Sequence, residues 1–258
     1  MTSAGSPAPS GSPPIVRLDV VESTQAAAWE LAEHGAADRT VVVAKHQLAG
    51  RGRRGRIWHD QPGSSLLFSI VVRPRLPVAQ VPMLSLATGV AVAEALAQGC
   101  GLEARLKWPN DVLVGGRKIA GILLESRMTP GGTISPEITV IVGIGVNLGR
   151  HDFPGELQGK ATSVALETGS APDREAALAA LLAAFDRWRA CLEREGFGPV
   201  RARWVALSET IGRKVTAGGA AGVAVDLDLD GALIVVDGTR CHRIASGDIV
   251  EGEHAPRG

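Results

Sequence analysis

Between His46 and Trp58 the chain reads HQLAGRGRRGRIW, with four arginines and three glycines in the seven residues from Gly50 to Arg56. Arginine forks grip phosphate oxygens two at a time, and glycines let backbone N–H groups approach an anion, so this composition suits a loop that wraps a phosphate. Single-stranded nucleic acid also binds such clusters, but a nucleic-acid surface needs further basic stripes and stacking aromatics. Aromatics are only 3% of this chain and tyrosine is absent, so a small polyphosphate fits better, beside the plain alternative of a solvated basic loop. Like charges on a flexible backbone repel, and the loop is expected to stay loose until its ligand arrives.

A second cluster, KWPNDVLVGGRKIAGILLE, places Lys107, Asn110, Asp111 and Lys118 around a proline turn and a Gly-Gly hairpin. The chain holds five lysines against twenty-two arginines, and two of the five bracket this twelve-residue stretch. That bias points to a site that uses a compact point charge and not a planar fork. Asn110 and Asp111 offer two oxygens to a magnesium ion beside phosphates, or stabilise the turn with their own side chains. A third motif, GIGVNLG from Gly143 to Gly149, spaces its glycines as GxGxxxG with no helix start after it, unlike a dinucleotide fingerprint. It reads as a strand whose glycines admit a ligand closely and which ends in Asn147 as an amide reader, or as a structural bend.

These motifs need a scaffold. TVVVAKHQL, SSLLFSIVV, RLKW, RKIAGILLE and TVIVGIGVNL are short, rich in β-branched residues and bounded by Gly or Pro, which predicts strands. VPMLSLATGVAVAEALAQ is apolar around most of its circumference and predicts a buried helix. A second helix is expected from about Asp173, with Leu178, Leu181, Leu182, Phe185, Trp188 and Leu192 on its core face and SAPD, Ser170 to Asp173, as a capping-box start. The class is α+β. Residues 1–14 are small, polar and Pro-rich, and read as a disordered tail. After about Leu207 short β segments with Gly turns predict a small all-β barrel. Within it DLDLDGALIVVD has the carboxylate spacing of a calcium loop, but the flanks are strands, so Asp226, Asp228 and Asp230 are expected on the solvated face of a half-buried strand.

Composition narrows the classes. Across 258 residues 27 basic side chains balance 27 acidic ones, so no overall field draws the protein to DNA or to an anionic membrane. No apolar run is expected to reach the roughly 20 residues of a membrane span. Three dispersed cysteines suit reduced thiols and a cytoplasmic setting.

Taken together, ESTQ, HQLAGRGRRGRIW, GSSLLFSI, KWPNDVLVGGRKIAGILLE and GIGVNLG resemble, in order and spacing, the biotin protein ligases, also called biotin acetyl-CoA carboxylase ligases or holocarboxylase synthetases. The resemblance runs from about Val20 to Leu148. It implies a biotin/lipoyl-ligase-like catalytic domain over residues 15–207, with a mixed sheet and packed helices, and an SH3-like C-terminal barrel over 208–258. It further implies that biotin's carboxylate attacks the α-phosphate of ATP, with magnesium on the phosphates, and that a lysine of a biotin carboxyl carrier domain then attacks the biotinyl-5'-AMP. By the same resemblance Lys118 and Arg53 are the catalytic residues. Ser23, Thr24, Gln25 and Gln47 face biotin or its adenylate, Arg51, Gly52 and Arg53 close over the adenylate, and Lys107 and Gly121 complete the substrate-binding residues. Trp58 and Asn147 lie near the adenine, and Asn110 and Asp111 are the metal ligands. One departure stands out, since Gln25 occupies a position where the family usually has Asn. Regulatory members carry a helix-turn-helix before the catalytic domain, where this chain has fourteen low-complexity residues, so the monofunctional type with no DNA partner is expected, as a monomer or a homodimer. A lipoate or octanoate ligase or transferase of the same fold is the nearest alternative, and a non-enzymatic RNA-binding module the next.

Overall fold

The computed structural model describes residues 13–129 and 137–254, so the expected tail falls, up to residue 12, outside them. The first described element begins where the β-branched pattern does. Strand β1 (Ile15–Val21) leads into helix α1 (Thr24–Glu33), and β2 (Val41–Gln47) and β3 (Ser65–Val72) follow. Helix α2 (Met83–Cys100) precedes β4 (Ala104–Lys107), β5 (Asp111–Val114), β6 (Arg117–Thr129) and β7 (Glu137–Asn147). Three helices complete this part: α3 (Val164–Thr168), α4 (Arg174–Glu195) and α5 (Phe197–Leu207). The seven strands form one mixed sheet in the order β1-β2-β3-β7-β6-β5-β4, in which β1 and β2 run parallel and the other neighbours antiparallel.

The two faces of this sheet are covered unequally. Every residue of β3 is buried, as an apolar run in a sheet's interior requires. Leu66, Phe68, Ile70 and Val72 point to one face, where α2, α4 and α5 build the main core with Trp204 fully buried. On the opposite face Val42, Val71 and Ile141 pack under Ala28 and Trp29 of α1. That helix has ten residues, hence a length of about 15 Å, and covers only one end of its face. The remainder of the face is where the glycines of β6 and β7 lie.

A second sheet contains β8 (Arg213–Ala217), β9 (Ala220–Leu227), β10 (Leu233–Asp237), β11 (Arg240–Ile244) and β12 (Ile249–His254), antiparallel in the order β11-β10-β9-β8-β12. It is the expected small β domain, present as an open order with no β11–β12 ladder among the described residues. Trp108 fastens it to the larger sheet: the indole N–H donates to Gly231 O at 3.1 Å, and the backbone N–H donates to Thr210 Oγ1 at 3.0 Å.

Three expectations need correction, and one helix was not expected. The cap of α4 is Asp173, whose carboxylate accepts from Ala176 N at 2.7 Å, because the helix begins only at Arg174, after Pro172. The alternation of VDLDLDG fails on both sides of Leu227: that side chain is buried while Val225 and Leu229 are exposed. A register shift opposite Ile234 and Val235 upsets the pleat, and Asp228 to Gly231 form a turn in which Asp228 and Asp230 pair with Arg243, while Asp226 pairs with Arg201. The stretch Val78–Cys100 does have the length and hydropathy of a membrane span, yet 67% of its 18-residue apolar window is buried inside the protein, as a core helix must be. Helix α5 escapes a pattern search because Gly198 and Pro199 open it, although a proline in the first turn costs no intrahelical bond.

The cap assignment makes a distinction that can be measured. Asp173→Ala is expected to lower unfolding stability by about 1 kcal/mol, while Ser170→Ala stays within a few tenths. Paired urea titrations read both, and equal losses would return the cap to Ser170.

Candidate active site

Pairing register sets the floor of the site. Gly143 of β7 lies between Ser69 of β3 and Leu123 of β6, and Gly145 lies between Leu67 and Gly121. Residues two apart share a face, so both glycines open on the side that α1 leaves uncovered. Gln25 and Trp58 fill the two openings. A Cβ on Gly143 would stand 2.5 Å from Gln25 Oε1, and a Cβ on Gly145 would stand 2.8 Å from the Trp58 ring. Gly121, opposite Gly145, is equally close-packed, with Lys118 and Trp58 each 3.1 Å from a Cβ placed there.

The deep end is a buried polar network. Ser23 caps α1 through its hydroxyl, which accepts from Gln25 N at 3.2 Å. Thr24 donates to Gln47 Oε1 from its backbone N–H at 2.7 Å and from its hydroxyl at 3.1 Å. Ser69 Oγ donates to Thr24 Oγ1 at 2.9 Å and also lies 3.2 Å from Gln25 Oε1, while Gln25 Nε2 donates to Ile141 O at 3.2 Å. Gln47 is itself held from behind, where its backbone N–H donates to the buried Asp60 carboxylate at 3.1 Å. The methylene that Gln25 adds therefore lets its amide lie back along β7, in the room Gly143 provides. Ser69 was missed by the sequence reading, although a hydroxyl inside the apolar run SSLLFSIVV was the available signal.

Lys118 stands where two cavities meet. The first, of about 220 Å³, is lined by Ser23, Thr24, Gln25 and Gln47 at one end and by Arg51, Gly52, Arg53, Asn110, Asp111 and Gly121 at the other. The second, of about 370 Å³, contains Lys107, Asn147, Arg150, Phe153, Leu157 and Lys160. Trp58, Asp111 and Lys118 line both. Lys118 Nζ pairs with Asp111 at 2.6 Å and lies 5.6 Å from the centre of the Trp58 ring. Arg117 faces away and pairs with Glu167 at 2.7 Å, as strand alternation requires of its neighbour. Trp58 Nε1 is buried without a hydrogen-bond partner, whereas Asn147 Nδ2 donates to Thr162 O at 2.9 Å.

The arginine loop closes over the first cavity. It is pinned by a bridge between Arg51 and Ile57 and by a single 3-10 turn, Arg53–Gly55. Arg53 is half-buried and donates to Asn110 Oδ1 at 3.2 Å. Burial pulls its guanidinium below the ordinary arginine value, Asp248 and Asp111 pull it back up, and Arg54 and Arg56 add to the fall. The loop's side chains have specific partners in this structure, on Asn110 and on the second sheet.

The candidate metal pair has a modest donor set. Asp111 pairs with Lys118, Asn110 Nδ2 donates to Ile122 O at 2.8 Å, and no group of three His, Cys, Asp or Glu forms a metal cluster among the described residues. One carboxylate and one amide oxygen suit a magnesium ion that arrives with phosphates and keeps its waters.

Comparison with known proteins adds to this geometry. The Biotin/lipoate A/B protein ligase family profile matches residues 18–147. A biotin--[acetyl-CoA-carboxylase] ligase of Paracoccus denitrificans is 42% identical over 223 residues, covering 83% of this chain and 90% of that protein. The bifunctional ligase/repressor BirA of Bacillus subtilis (strain 168) is 36% identical over 244 residues, covering 92% of this chain and 74% of that protein. A biotin protein ligase from Aquifex aeolicus, solved in complex with biotin and ATP, superposes with a TM-score of 0.79 at 27% identity, over 94% of this chain and 99% of that one.

The tight fit of Gln25 over Gly143 is open to a direct test. Gly143→Ala pushes a methyl into an amide tied at both ends, and is expected to destabilise the fold by about 1–3 kcal/mol, as overpacking does. Adding Gln25→Ala should recover most of that loss in urea titration. A Gly143→Ala protein as stable as the parent would show that Gln25 moves freely.

Proposed function

The chain belongs to the biotin/lipoate A/B protein ligase family, and on that premise we propose that it uses ATP to join biotin to a lysine of a biotin carboxyl carrier domain through biotinyl-5'-AMP. The observation that carries the reading is the position of Lys118 at the junction of a polar-ended cavity and a cationic one. A biotin head group placed on Ser23, Thr24 and Gln47 directs its carboxylate toward Lys118. An adenosine placed against Trp58, Phe153 and Leu157, within reach of Asn147, brings its α-phosphate to the same ammonium.

Two anions must meet for the first bond to form. The carboxylate oxygen attacks the α-phosphorus, the bond to the β-phosphate oxygen breaks, and pyrophosphate leaves with the electron pair. Lys118 offsets the charge on the approaching oxygens, as a small movable cation can where a planar fork cannot. Arg51, Gly52 and Arg53 cover the product and keep water from the mixed anhydride. Magnesium, held by Asp111 and Asn110, would neutralise the nucleotide's phosphates. In the second step a neutral lysine amine of the carrier attacks the acyl carbon, AMP leaves, and the amine's proton passes to solvent. A lipoate substrate would bring an apolar dithiolane to the hydroxyl and amide floor of the cavity, a poorer match than biotin's polar ring. The same reading takes an acetyl-CoA or acyl-CoA carboxylase carrier as partner and a cytoplasmic setting. It includes a possible homodimer, with neither DNA nor membrane as partner.

The purified chain with ATP, magnesium and a carrier domain should give a streptavidin-reactive carrier, and a carrier labelled only when lipoate replaces biotin would overturn the reading. Lys118→Arg keeps the charge but is expected to slow pyrophosphate release at saturation by about a hundredfold or more, the order seen when one transition-state donor is lost. Arg117→Lys should change it little, because that side chain belongs to Glu167. Near-parental turnover of Lys118→Arg, with melting curves unchanged, would shift the role to Lys107.

A further inference from the structure

Four guanidinium groups within seven residues repel one another unless counter-charge reaches them from outside the loop. The counter-charge comes from the second sheet. Asp248, in the turn between β11 and β12, binds Arg56 with Oδ1 at 2.6 Å, and its Oδ2 lies 3.8 Å from Arg54. The neighbouring Gly247 O accepts from Arg53 at 3.4 Å. Gly247 has φ 149°, a backbone conformation that glycine tolerates and that sets this carbonyl toward the loop. The turn is not free to wander, because Trp108, next to Pro109 and Asn110, ties the second sheet to the wall of the active site.

We propose that Asp248 is a positioning residue for adenylate retention: by drawing Arg54 and Arg56 to the second sheet, it holds the loop over the cavity with Arg51 and Arg53 left to face the nucleotide. The inference rests on the biotin ligase reading for its consequence, though not for its geometry. Magnitudes decide where the effect shows. Arg54, Arg56 and Asp248 are all substantially exposed, so the pair contributes little to global stability. The loop has few other attachments, so the same small energy governs whether it opens. Asp248 acts on Arg53 as well, being the strongest of the influences that keep that half-buried cation charged.

The test uses the full chain and its Asp248→Asn, Asp248→Glu and Arg243→Gln variants. Without ligands, trypsin is expected to cut Asp248→Asn within the loop about fivefold faster than the parent, the factor that corresponds to a pair at the upper end of the exposed range. With biotin, ATP and magnesium, the ratio of bystander to carrier labelling should rise by a similar factor, while the melting temperature stays close to parental. Asp248→Glu keeps the charge and should return both readings toward the parent. Arg243→Gln breaks an ion pair on the same sheet away from the loop, and should leave both readings alone. Parental cleavage and labelling ratio in Asp248→Asn would overturn the proposal, as would equal acceleration by Arg243→Gln. If the parent makes no biotinylated product, the functional reading fails, while the proteolysis comparison still decides whether Asp248 holds the loop.

Discussion

Gly143 and Gly145 occupy alternate positions on β7, and the space their missing side chains leave on one face of the sheet is what the rest of the site is arranged around. Any larger residue at either place would meet Gln25 or Trp58 at less than 3 Å. The register carries this opening sideways to Ser69 and Leu67 on β3 and to Leu123 and Gly121 on β6. Because α1 covers only the part of the face beyond Ile141, its first residues, Ser23, Thr24 and Gln25, overhang the opening and turn a helix N-terminus into a polar wall. A longer helix would have covered the cavity with apolar surface.

Charge is distributed with the same economy. Lys118 is the one lysine that borders both cavities, and Asp111 holds it at 2.6 Å while Trp58 shields its flank. Neither neighbour consumes its usefulness, since an ammonium has three donors and one ion pair leaves two of them to be offered. The arginines are treated differently. Arg53 is shared between Asn110 and Gly247 O, and Arg56 and Arg54 are assigned to Asp248, so the charge left to face the cavity is smaller and better directed than four arginines in a row would imply.

Much of this could be read from the amino acids, and what could not has a common cause. TVVVAKHQL, SSLLFSIVV and TVIVGIGVNL became β2, β3 and β7 because alternation and β-branching are local signals that burial only reinforces. Lys118 was legible from its motif, whereas the irregular register after it, which brings its side chain beside Gly121, was not. Gln25, Ser69 and Asp248 were not legible in the same way. Each acts through a partner far along the chain: Gln25 through Ile141 and Gly143, Ser69 through Thr24, Asp248 through Arg56. The loop illustrates the point most clearly, since its own composition argues for looseness and the carboxylate that pairs with Arg56 and Arg54 lies about 190 residues away. The cap of α4 was misplaced for a local reason, two candidate side chains three residues apart, and only the helix's first turn distinguishes them.

The unequal faces of the sheet also explain how such a site is tolerated. Two glycines on a central strand and a network of polar side chains with almost no exposure weaken the face that carries them. The other face offsets this with Leu66, Phe68 and Ile70 packed under α2, α4 and Trp204, where no functional residue lies and volume can be filled without compromise. Stability and chemistry are thus carried by opposite sides of the same strands. The alternation that puts Phe68 into the core is the one that turns Ser69 toward the first cavity.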